Sequence, residues 1–116
     1  MSMTTVTVKL HHWLPRLVGF DAVTFPTTIY TRLPSLSGRL LVHECQHVKQ
    51  WAETGRTMFL LKYLADYWRG RLKGQSCLTA YLGIGAEAEA VKMAQQYATW
   101  QEWSAGEHFP LEIIGA

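Results

Sequence analysis

The chain has 116 residues, which sets a prior of one domain over residues 1–116, and 48% of them are hydrophobic, enough apolar material for one core. Eleven basic and nine acidic side chains give a formal charge of +2 with no dense basic run, so nothing favours a nucleic-acid partner. Two cysteines define no disulfide framework, and the residues from Met1 to Val8 lack a basic head followed by an apolar run. Reduced thiols and a cytoplasmic setting are the expectation.

In chain order, residues 4–10 (Thr-Thr-Val-Thr-Val-Lys-Leu) are β-branched with partial alternation and predict a strand. Ala22–Phe25 and Thr28–Thr31 predict two short strands parted at Pro26, which cannot donate to a sheet ladder. Pro34 ends this region. Ser35 or Ser37 can cap a helix running to about Thr54, with Gly55 as its stop. Thr57 can cap a second helix to about Arg69. Its apolar residues Phe59, Tyr63, Tyr67 and Trp68 are read as core or dimer packing in preference to a membrane-surface role. A third helix is predicted from about Ala86 to Ser104, closed by Gly106. The tail from Glu107 to Ala116, with Pro110, reads as irregular or extended. The order of strands followed by helices predicts an α+β domain.

The first helix carries His43-Glu44-Cys45-Gln46-His47, an H-E-x-x-H motif. Residues four apart share a helix face about 6 Å from each other, so both imidazoles can reach one zinc ion. Glu44 lies about 100° around the axis, beside the metal rather than on it, which is the general-base position. With five histidines in the chain, chance supplies such a motif only about 0.01 times. Helical phase puts Leu41, Cys45, Val48 and Ala52 on a core side and Arg39, Gln46, Lys49, Gln50 and Glu53 on a solvent side. The histidines fall off the core stripe, toward Leu40 and Trp51. Cys45 points nearly opposite His43 and reads as a packed thiol.

A catalytic zinc usually takes a third protein ligand. Glu87, Glu89, Cys77, His108, His11 and His12 are the candidates. On the third helix, Glu87 falls within the apolar arc of Ala90, Val91, Ala94 and Ala98, whereas Glu89 lies at its edge, about 200° away, as a solvated helix-start carboxylate. A buried carboxylate is costly unless compensated, and a cation would compensate it, so phase selects Glu87. Gln75-Ser76-Cys77-Leu78 is weakly similar to the cysteine segment of peptide deformylases, but here it follows the histidine helix instead of preceding it.

His43 to Gln50, then Tyr81, then Glu87-Ala88-Glu89-Ala90, together resemble the minigluzincin type of metallopeptidase-like domain over roughly residues 20–92. The resemblance implies His43, His47 and Glu87 as Zn2+ ligands, Glu44 as general base and a peptide or protein as substrate. It implies a minimal zincin-like fold, with a small antiparallel sheet packed on three helices. Some such proteins are latent, with a terminal segment in the cleft, and residues 107–116 are the candidate segment here. Leu82-Gly83-Ile84-Gly85 and Val91 depart from the family pattern, and Val91 stands where an aspartate often supports the zinc site. Tyr81 and Tyr97 are candidate oxyanion donors by residue type. The alternative to a peptidase is a non-catalytic domain stabilised by zinc.

Overall fold

The backbone of a computed structural model, described over residues 5–103 and 111–115, forms an α+β fold with four strands and six helices among the described residues. Strand β1 (Val6–Lys9) buries Val6 and Val8 completely, following the alternation of its sequence. A five-residue helix α1 (Leu14–Val18) follows, with Pro15 in its first turn and Gly19 closing it at φ 81°. β2 (Ala22–Phe25) and β3 (Thr28–Thr31) then pair antiparallel, Phe25 opposite Thr28, with Pro26 in the turn between them.

The sheet order is β2-β3-β1-β4, where β4 is Leu111–Ile114. β1 runs parallel to both β3 and β4, so the sheet is mixed and not the antiparallel one expected. Only the β2–β3 pair is joined by a tight turn; the β1 pairings are non-local, and parallel neighbours need a longer connection. The tail is therefore partly strand. Its residues 111–114 occupy the sheet edge opposite β2, and residues 107–110 lie outside the described residues.

Helix α2 (Gly38–Thr54) starts after Ser37 and stops at Gly55, as its capping residues predict. It lies across the sheet. Leu41, Cys45 and Val48 meet Val6, Val8, Leu10 and Ile29 in the main core, each fully buried aliphatic side chain contributing about 1.5–3 kcal/mol. Gly55 joins α2 directly to α3 (Arg56–Leu72) at φ 90° and ψ 149°, a backbone region essentially reserved for glycine. After α3 a short helix α4 (Cys77–Leu82) is capped by Ser76, whose hydroxyl accepts from the Thr79 N–H.

The third predicted helix is two. α5 (Gly85–Gln96) ends at Tyr97, which is extended at φ −120° and ψ 118°, and α6 (Trp100–Trp103) restarts beyond it. The guanidinium of Arg39 on α2 donates to the carbonyls of Ala94 and Gln95, satisfying groups that a continuing helix would use itself. Thr99 accepts from the Glu102 N–H and starts α6. The expected solvent side of α2 is also revised. Gln46 and Gln50 are buried because α5 covers them, while Ala52 is exposed.

Candidate metal centre

His43 and His47 project from α2 toward α5, where Glu87 meets them. Glu87 Oε1 is 3.0 Å from His43 Nε2 and 3.1 Å from His47 Nε2, and the two Nε2 atoms are 3.2 Å apart. Ligands on a tetrahedral zinc at ~2.0–2.1 Å stand ~3.3 Å from one another, so this triangle is close to one face of such a shell. Among the described residues it is the only group of three His, Cys, Asp or Glu side chains with this convergence. Glu87 and His47 are buried, and His43 is half-buried.

The hydrogen bonds around the triangle fix what faces inward. The Gln50 amide nitrogen donates to the Ala86 carbonyl and to Glu89 Oε1, both at 3.0 Å. Its Oε1 must then face His47 Nδ1, 2.8 Å away, and accept that proton. In a neutral His47 the Nε2 atom consequently presents a lone pair to Glu87 Oε1. The Glu87 carboxylate is an acceptor only, and its Oε2 accepts from the Tyr63 hydroxyl at 2.7 Å. Acceptors thus crowd one point, which is stable only with a proton or a metal ion between them.

Electrostatics show the same demand. Burial works to lower the His47 pKa, yet the hydrogen bond and charge of Glu87, followed by Glu44 and Gln50, raise it overall. Burial works to raise the Glu87 pKa, but its contacts with His43, His47 and Tyr63 hold the carboxyl well below the usual range. Burial and then the Glu87 charge push Tyr63 and Tyr81 far above the ordinary phenol value, so both stay protonated as donors. Cys45 is a buried thiol pushed up to about 12 by burial and then by the Glu44 charge, and it packs in the core.

Glu44 is buried beside the triangle. Thr24 of β2 donates to its Oε2 at 2.5 Å, and the Trp51 indole donates to the Thr24 carbonyl at 3.3 Å, so β2 and α2 are pinned together at the site. Glu44, His47 and Glu87 open on a cleft of about 190 Å³. Its walls are mainly apolar: Phe20, Val23 and Phe25 on one side, Trp51, Phe59 and Leu60 on the other, with Tyr63 and Tyr81 near the carboxylates. Trp51 is at the cleft as its phase predicts, whereas Leu40 packs toward the core.

Of the other candidates, Glu89 is exposed but not merely solvated, since it accepts from Gln46 at 2.6 Å as well as from Gln50. Cys77 is exposed at the start of α4, His11 and His12 flank α1, and none joins the triangle. His108 lies outside the described residues. Tyr81 lines the cleft; Tyr97, past the end of α5, accepts from Gln96 instead. Thr24, Gln50 and Tyr63 are the site residues that sequence reasoning passed over. For Gln50 a signal existed: it sits three residues after His47, on a neighbouring part of the same helix face.

Gln50 fixes the orientation and tautomer of His47 through Nδ1. Gln50→Leu removes the acceptor for His47 Nδ1–H together with the donors to the Ala86 carbonyl and Glu89. With the triangle as a zinc site, the affinity is expected to fall about 10–100-fold in a competition titration against a chromophoric chelator, with an unchanged circular dichroism spectrum. Wild-type affinity in this variant would remove Gln50 from the site. No family model, curated protein or solved structure matches the chain.

Proposed function

We propose that this chain is a small zinc metallopeptidase of the minigluzincin type. The observation that carries the reading is the meeting of His43 Nε2, His47 Nε2 and Glu87 Oε1 within 3.2 Å of one another, with Glu44 lining the same cleft as His47 and Glu87. His43, His47 and Glu87 are the residues that would hold the ion. When bound, zinc supplies Lewis acidity, polarising a carbonyl oxygen and acidifying water.

The chain's own groups do the remainder. Glu44, oriented by Thr24, is the general base that takes a proton from attacking water and delivers it to the leaving amine. Tyr63 holds Oε2 of Glu87 and so leaves Oε1 to the histidine side. Tyr81, protonated and beside Glu87 at the cleft wall, is the donor assigned to an oxyanion in this reading. The aromatic walls exclude water and favour a substrate segment with large apolar side chains. In a peptide mixture analysed by mass spectrometry, zinc-loaded protein is expected to cut beside such residues, and a chelator to stop it.

One observation favours a second reading, a zinc-stabilised domain without catalysis. Glu87 and Ala90 are the only fully buried residues of α5, so one of the two side chains it buries completely is a carboxylate that needs a compensating charge. An ion joining Glu87 to α2 would supply that charge. Intact peptides after incubation with stoichiometrically zinc-loaded protein would reject the peptidase reading and leave this one.

A further inference from the structure

The outer face of α3 is apolar and its largest side chains are about half or more exposed. Leu60, Leu61 and Leu64 are 48%, 57% and 47% exposed, and Trp68 and Leu72 are 57% and 86% exposed. With Arg56 at zero and about 100° per residue, these side chains and Met58 fill an arc from about 40° to about 200°. The inward side is occupied instead by Phe59, Tyr63, Asp66 and Gly70, the residues of α3 that are buried or half-buried together with Tyr67. A globular helix normally turns its apolar stripe inward, so a face of this width marks an interaction surface.

Charge identifies what it meets. Cations frame the apolar arc: Arg56 before its start, Arg71 just inside it, Lys62 and Arg69 beyond its end, and Lys73 at the C-cap, all exposed. Asp66, the only acidic residue of α3, sits on the inner side, where it accepts from the Gly85 N–H and pairs with Arg69. A second copy docking on this face would bring the same cationic borders against each other. An anionic bilayer surface complements both features at once, because acyl chains take the leucines and Trp68 while phosphates take the flanking cations. No helix among the described residues is long and apolar enough to cross a membrane, so contact would be in the interfacial plane.

We propose that α3 docks the protein on anionic lipid surfaces, with Leu61, Leu64 and Trp68 inserted among the headgroups. Leu60 belongs both to this face and to the cleft wall, so docking places the cleft mouth beside the lipid surface.

The test is co-sedimentation of the full chain with vesicles. Recovery on an equimolar mixture of phosphatidylglycerol and phosphatidylcholine is expected to exceed that on phosphatidylcholine alone by at least ~10-fold, and to fall as salt is raised. Leu64→Gln with Trp68→Gln should remove binding without lowering the melting temperature, since both side chains are exposed. Lys62→Glu with Lys73→Glu should remove the anionic preference. The proposal is overturned by no recovery on either vesicle, by recovery that the apolar pair does not reduce, or by a dimer that those same substitutions dissolve. Binding to polyglutamate with none to vesicles would assign the face to an acidic protein instead.

Discussion

Glu44→Gln is expected to lower peptide hydrolysis about 10²–10⁴-fold while zinc stays bound. The substitution preserves shape, and Thr24 can still donate to the amide oxygen, so α2 and β2 remain pinned. What disappears is the capacity to take a proton. Glu44 is not one of the three convergent groups, hence metal content measured by atomic emission should match that of the parent protein. Retained activity at full metal loading would show that another group is the base. Loss of zinc together with activity would show that Glu44 is a ligand.

Removing the ion is expected to cost more in stability than any single surface change. At a zinc concentration 1,000 times the dissociation constant, binding adds about 4 kcal/mol to the folded state. For a chain of this size that corresponds to a melting temperature higher by roughly 15 °C. Chelated and zinc-loaded protein should therefore melt far apart in differential scanning calorimetry. Glu87→Ala should abolish the difference, because it takes away the α5 contribution to the triangle and leaves Tyr63 without its acceptor. Coincident melts for loaded and chelated wild type would mean that the three groups bind no ion of consequence.

The parts of this fold governed by short-range rules were legible in the sequence. Ser37 and Gly55 bracket α2, Pro26 separates β2 from β3, and the phase of α5 buries Glu87 rather than Glu89. Parallel pairing of β1 with β3 and β4 was not legible, because those partners are distant in the chain and adjacent strands alone suggest hairpins. Nor was the end of α5: the carbonyls at its last turn are taken by Arg39, more than fifty residues earlier.

The same distinction divides the site. Spacing alone brings His43, Glu44 and His47 together, since one helix carries them. Gln46 and Gln50 look like solvent residues by polarity, and periodicity cannot separate a polar face in water from one that another helix covers. Here their amides bind Glu89, and Trp103 donates to Gln46 Oε1 at 2.9 Å. Tyr63 was read as packing because its helix is apolar, and only the tertiary fold turns its hydroxyl to Glu87. Helix α1 has Pro15 and Gly19 at its ends, but five residues are too few for periodicity to register.

Gly55 sets the direction in which α3 leaves α2. Tyr63 lies eight residues beyond Gly55, about 12 Å along the helix axis, so a swing of only ~10° about this point displaces the phenol by ~2 Å. The bond to Glu87 is 2.7 Å long and would not survive such an excursion. A side chain at position 55, strained at φ 90°, is thus positioned to disturb the Tyr63–Glu87 bond from a distance, without touching any atom of the cleft.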